Sequence, residues 1–305
     1  MKGKVKIGLN MLLMIIVLGV IFYVMDNSFS DIAGIFFVVV YQFAEGRSIK
    51  EIARYFNKDF TTVDGFFTSC YVAFYRIISF GTGTLLSEIY FYKKKGIPVS
   101  KSVGITALHM IMYKAAVIFL AIIGLIIQFS LFYENAPSSL KLQVLLVKFA
   151  NRWFKRPKLR DWVDNCNLQI YSLRAAVQTI TQDRSALLRI FSWNVFKLLF
   201  WYIIPYIVLV ENHPNIDLLL VMSFTSFAVI LSGVIPTPAG IGPFEFVYLL
   251  LFKPLVGNVD AVASVLLYRF GSFVLPFLIG LVYVAIEKRK SLRIEIEEIK
   301  RQTDE

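Results

Sequence analysis

The chain is poor in the residues most enzymes use for chemistry. Its 305 residues include two cysteines and two histidines. Cys70 and Cys166 stand apart, with neither CxxC spacing nor the density of a disulfide framework, so both read as inert thiols. His109 and His213 are isolated as well, which excludes an HExxH zinc motif; no metal and no other cofactor is expected. A Walker A loop and a GxSxG nucleophile elbow are both missing. Charge is scarce too: 17% of residues carry it, with 32 basic against 21 acidic and a net charge of +11. In a soluble protein that excess would suggest nucleic acid. Here no recognition module accompanies it and the cations gather in loops and tails, so no nucleic-acid partner is expected.

What is abundant is apolar surface, with 57% of residues hydrophobic and 15% aromatic. A soluble domain cannot hide that much, and runs of about 20 apolar residues are long enough to cross a bilayer. The fold class is therefore all-α, a polytopic membrane protein. Loop charge assigns the sides, because Lys and Arg are retained on the cytoplasmic face. Residues 7–25 follow the basic start MKGKVK and precede no small-residue cleavage site, so they read as a retained first span. The acidic DNSFSD (26–31) lies outside, 32–44 returns, and 45–59, with Arg47, Lys50, Arg54 and Lys58, reads as an inner loop.

Residues 65–80 are apolar, yet the next loop, YKKKGIPVSK (92–101), is basic again. A full crossing would put that loop outside. A hairpin over 65–91, entering from inside and turning at GTGT (81–84) with Gly81 and Gly83, removes the conflict. Irregular backbone at membrane depth must be buried in protein or line a cavity. The chain then exits over 103–127, returns over 140–150 and carries a basic amphipathic interfacial stretch, so that 140–185 links two membrane units, 1–139 and 186–305. The second unit exits over 186–210 and forms a hairpin over 218–256 that opens from outside. It returns over 260–286 to a basic cytoplasmic tail, for about six full spans plus two hairpins. In the second hairpin Pro236 and Pro238 remove backbone donors, while Gly240 and Gly242 permit turns that other residues resist.

The two hairpins resemble each other. FFTSCYVAFYRIISFGTGTLLSE (66–88) aligns without a gap on SFTSFAVILSGVIPTPAGIGPFE (223–245), with seven identities in 23 at an offset of 157. Phe67, Thr68, Ser69, Val72, Ile78, Gly83 and Glu88 meet Phe224, Thr225, Ser226, Val229, Ile235, Gly240 and Glu245. The helices that follow continue the match and set Tyr113–Lys114 against Tyr268–Arg269. Opposed hairpins with internal similarity are what two inverted-topology repeats predict, with broken helices meeting near the midplane.

Lys114 and Arg269 lie 11 and nine residues into their expected helices, roughly 14–17 Å deep. A charge there costs at least about 2.5–3.5 kcal/mol and usually faces a partner or a cavity. Glu88 and Glu245, just after the breaks, are the natural counter-ions. Two readings follow: a headgroup site made of Arg269, Lys114, Glu245, Glu88, Tyr268 and Tyr113, or two structural ion pairs, Glu88–Lys114 and Glu245–Arg269. Helix N-termini near residues 85 and 243 add positive dipole ends, and the planar fork of Arg269 suits a phosphate.

PTPAGIGPFE (236–245), together with GTGTLLSE and LLYRFGSFVLPFLIG, resembles the signature of the lysylphosphatidylglycerol synthase transmembrane family. This is the flippase-like part of the multiple peptide resistance factor. The likeness spans roughly residues 5–290; Ala239 replaces a usual glycine, and Ile89–Tyr90 follow Glu88 where many members carry an arginine. The resemblance implies a bacterial plasma membrane protein with both termini cytoplasmic, which translocates a polar lipid such as lysylphosphatidylglycerol or a glycolipid. A second copy or a separate lipid-synthesising enzyme are candidate partners. In the complete factor a soluble domain transfers lysine from lysyl-tRNA to phosphatidylglycerol; this chain ends in a short charged tail, so that chemistry is not expected. The competing function is the membrane part, or an accessory subunit, of a lipid-modifying enzyme with Glu88 or Glu245 as general base.

Overall fold

The computed structural model describes residues 29–81, 83–128, 182–233 and 242–303, and their regular structure is helical throughout. The expected span 7–25, the return segment 140–150, most of the linker, and Pro236, Pro238 and Gly240 lie outside the described residues. The helices are α1 (Phe29–Ala53), α2 (Thr62–Ile78), α3 (Thr84–Lys94), α4 (Val99–Ile127), α5 (Arg184–Asn212), α6 (Leu218–Ser232), α7 (Pro243–Arg269) and α8 (Leu275–Thr303). Three stretches, Val99–Ile127, Arg184–Asn212 and Pro243–Arg289, are long and apolar enough to cross a membrane.

Local chemistry sets most boundaries. A capping box starts α2: Asp64 N donates to Thr61 Oγ1 at 3.1 Å and Thr61 N donates to Asp64 Oδ2 at 2.9 Å. The Asp183 carboxylate caps α5 through Ala186 N and takes the Tyr55 hydroxyl at 2.6 Å. Those two bonds hold the Asp183 carboxyl below its ordinary range. Asp217 caps α6 through Leu219 N and Leu220 N and also accepts from Gln128 Nε2 at 3.0 Å, tying the end of α4 to the start of α6.

After α2 the backbone reverses through Phe80 and Gly81, both at positive φ (52° and 93°), and Gly83 N donates to Ser79 Oγ at 2.7 Å. At the second break α7 starts at Gly242 (φ 102°) and bends at Gly257 (φ 81°), three residues after Pro254. It therefore has two arms, and it packs against α6. The single helix expected over 260–286 is interrupted by a π turn at Phe270–Val274, where Gly271 packs against Val38 of α1.

One expectation is corrected. Residues 45–53 do not form an inner loop but continue α1, because Ser48, Ile49, Ile52 and Ala53 make a fully buried stripe at helical spacing. This puts Glu45 inside the protein. The most extensive helix contact joins α1 to α5. Around it α2 packs on α8 and α6 packs on α4. Each crossing is closed by a glycine: a Cβ at Gly280 would strike the Cys70 carbonyl, and one at Gly124 would strike Ser223.

Candidate functional site

Helices α1 to α5 enclose a cavity of about 520 Å³ lined by two carboxylates, Glu45 and Glu88, three basic side chains, Arg76, Lys114 and Lys197, and the His109 imidazole. Lys114 and Lys197 sit near the middle of 29-residue apolar helices. Lys197 is 1% exposed and forms an ion pair with Glu45 across the α1–α5 contact. His109 Nε2 lies 3.4 Å from the same carboxylate, and the Lys197 ammonium stands 4.8 Å from the Tyr113 ring centre. Glu88, 7% exposed, accepts from the Tyr92 hydroxyl one turn on, at 3.0 Å.

A second group gathers at the start of α7. Arg269 Nε donates to Glu245 Oε1 at 2.5 Å, and Gly242 N donates to Glu245 Oε2 at 2.8 Å. The guanidinium lies 4.8 Å from the Phe244 ring. Glu245 therefore caps its own helix, occupying with a protein carboxylate the dipole end expected to be open to a ligand.

Of the residues singled out in the sequence, Gly81, Glu88, Tyr113 and Lys114 line one cavity. Gly242, Glu245 and Arg269 form the other group, and Tyr268 is stacked between Trp201 and Phe244. Of the two ion pairs considered, Glu245–Arg269 forms and Glu88–Lys114 does not. Lys114 Nζ instead approaches Gly233 at the end of α6, where the negative end of the helix dipole favours a cation.

A family model for the lysylphosphatidylglycerol synthase TM region matches residues 79–280. The chain belongs to that family. No curated protein matches it. The matched span runs from the turn after α2 into α8 and includes Glu88, Lys114, Lys197, Glu245 and Arg269, whereas Glu45 and Arg76 precede it.

Four residues of the cavity, Lys197, Arg76, Glu45 and His109, are not among those the sequence singles out for the site. Lys197 carried the same signal as Lys114, a cation deep in an apolar span. Arg76 sat inside the apolar run 65–80. The cations around Glu45 give it the signature of a loop, and His109 has no second metal ligand near it in sequence. With Glu45 and Lys197 neutralising each other, Arg76 and Lys114 remain without an ion pair among the described residues. The cavity can thus balance an anion, and Glu88 offers a carboxylate to a cationic group.

Proposed function

We propose that this member of the lysylphosphatidylglycerol synthase TM family moves a polar or anionic membrane lipid between leaflets, holding its headgroup in the charged cavity. The observation that carries the reading is a space of about 520 Å³, lined by the mid-helix ammonium of Lys114, by Arg76 and by Glu88. Charges at that depth are costly unless they face a partner or a ligand. A headgroup phosphate would sit at Arg76 and Lys114, and an amine, as in an aminoacylated phospholipid, at Glu88.

The helix order supports two inverted repeats as the frame. Elements α1 to α4 are followed by α5, α6 and the two arms of α7 leading to α8, at an offset close to the 157 residues of the internal alignment. The reciprocal crossings of α2 on α8 and α6 on α4 fit a pseudo-two-fold axis. In this proposal the protein sits in the bacterial plasma membrane with both termini cytoplasmic. Its partner is a phospholipid or glycolipid, supplied by a separate enzyme where the lipid is aminoacylated.

The test uses vesicles containing the purified chain and fluorescent phosphatidylglycerol or its lysyl ester, with dithionite reporting the outer leaflet. The unaltered chain is expected to speed exchange, and Lys114→Ala with Arg76→Ala to abolish it. Equal exchange with and without protein would reject the translocase. A second reading, a lipid-modifying enzyme or its subunit, draws on His109 Nε2 lying 3.4 Å from Glu45, a base beside a carboxylate. It would be favoured by recovery of chemically altered lipid from the same vesicles.

A further inference from the structure

Three buried polar atoms near one another have no hydrogen-bond partner among the described residues: Trp201 Nε1, Tyr202 Oη and Tyr268 Oη. Tyr202 and Tyr268 are each 1% exposed. Folded proteins leave few such groups, because burying a donor without an acceptor forfeits its bonds to water. These three are also placed in order. Tyr41 and Trp201 line the cavity, and their rings are 4.7 Å apart. Trp201 stacks on Tyr268 at 5.2 Å, Tyr268 stacks on Phe244 at 4.8 Å, and the Arg269 guanidinium lies 4.8 Å from Phe244. Tyr202 flanks Trp201, with ring centres 6.5 Å apart. An unbroken aromatic file therefore joins the cavity to the Arg269–Glu245 pair.

We propose that this file is the closed conduit between the headgroup cavity and the Arg269–Glu245 pair, and that its three orphaned donors bond the lipid's phosphodiester oxygens in passage. The inference rests on the translocase reading. An indole N–H can only donate and a phenol hydroxyl readily donates, so the matching ligand is rich in acceptors. Packing alone requires the rings and gives no use for the polar atoms. The backbone beside the file is built to adjust: the π turn begins immediately after Arg269, and α7 bends at Gly257. Parting the Trp201–Tyr268 stack moves α5 against α7, which opens the file and exposes the donors together.

Tyr202→Phe, Tyr268→Phe and the double variant remove only the oxygens. In the reconstituted full chain, each is expected to raise the thermal midpoint by a few degrees, since an unpaired buried hydroxyl is relieved. Movement of fluorescent phosphatidylglycerol should fall, by about tenfold in the double variant. Tyr248→Phe is the internal reference: its hydroxyl is 2.9 Å from Ser264 Oγ, so its midpoint should drop. A lower midpoint for Tyr202→Phe or Tyr268→Phe would show those hydroxyls bonded within the fold and overturn the proposal. Raised midpoints with unchanged lipid movement would place the file off the path and overturn it too, while leaving the translocase intact. No lipid movement by the unaltered chain would remove the translocase reading itself. Excess inorganic phosphate is expected to leave the rate unchanged; competitive slowing that vanishes in the double variant would assign the donors to free phosphate and reject a lipid conduit.

Discussion

Replacing Lys197 by Met should be among the most damaging single changes in the chain, and its magnitude follows from the geometry. Lys197 is 1% exposed, lies in the middle of α5, and pairs with Glu45 across the largest helix contact of the fold. Two unit charges about 4 Å apart are worth about 4 kcal/mol at an effective dielectric near 20. Removing one partner of a buried pair costs about 3–5 kcal/mol, because the other charge stays behind uncompensated. Met fills nearly the same volume as the Lys side chain, so the loss is electrostatic rather than a cavity effect. At roughly 2–4 °C per kcal/mol, the midpoint should fall by roughly 6–20 °C.

The double variant Glu45→Gln/Lys197→Met isolates the pair. With both charges gone it should lie within about 1 kcal/mol of the unaltered chain, giving a coupling energy of at least about 5 kcal/mol in the double-mutant cycle, since either single change leaves one charge uncompensated. Thermal unfolding in detergent, followed by intrinsic fluorescence, reads all four proteins. A Lys197→Met loss below about 1 kcal/mol, or a double variant worse than both singles, would refute the assignment of Glu45 and Lys197 as a buried mutual pair.

Arg269→Ala is expected to stop lipid movement while leaving folded protein in the membrane, and Arg269→Lys to restore part of it, because a point charge cannot reproduce a bidentate fork. If Arg269→Ala instead abolishes expression and Glu245→Ala/Arg269→Ala recovers it, the pair is structural. Asp217→Ala removes the α6 cap and its tie to Gln128, and should cost about 1–2 kcal/mol, read as a lower midpoint with lipid movement retained; an unchanged midpoint would count against the cap.

Local chemistry made the first break readable. Gly81 and Gly83 mark the turn that follows α2. The π turn was not readable, because it depends on Gly271 meeting Val38 of α1, a contact between segments far apart in sequence. Glu45 is hard to place from sequence for the opposite reason. The surrounding cations suggested a wet loop, while the helical stripe Ser48, Ile49, Ile52 and Ala53, which decides the matter, lay beneath them. Mid-span cations were legible as costly, but their partners were not: His109 and Glu45 are 64 positions apart and meet only because α1 and α4 share the cavity.

The alignment of the two segments suggests symmetric ion pairs, and the structure is asymmetric. Glu88 and Glu245 are equivalent in the alignment, yet Glu245 is closed on Arg269 while Glu88 leaves Lys114 to the end of α6. Arg76 aligns with Gly233, whose missing side chain leaves the room that the Lys114 ammonium enters. In the proposed translocase, alternating access would require such asymmetry of any single state: one half closed on its own charges, the other open to a ligand. In the opposite state Glu88–Lys114 would close and Glu245–Arg269 would part. Glu88→Gln should therefore hold the present state and Arg269→Met should release it, each shifting the balance by about tenfold per 1.4 kcal/mol lost. A cysteine at Thr84, which lines the cavity, reports the difference in a background without Cys70 and Cys166. Its labelling from the side of the Gly81 turn should accelerate with Glu88→Gln and slow with Arg269→Met. Shifts in the same direction for both would mean that the two pairs do not oppose each other, and the alternating scheme built on them would fail.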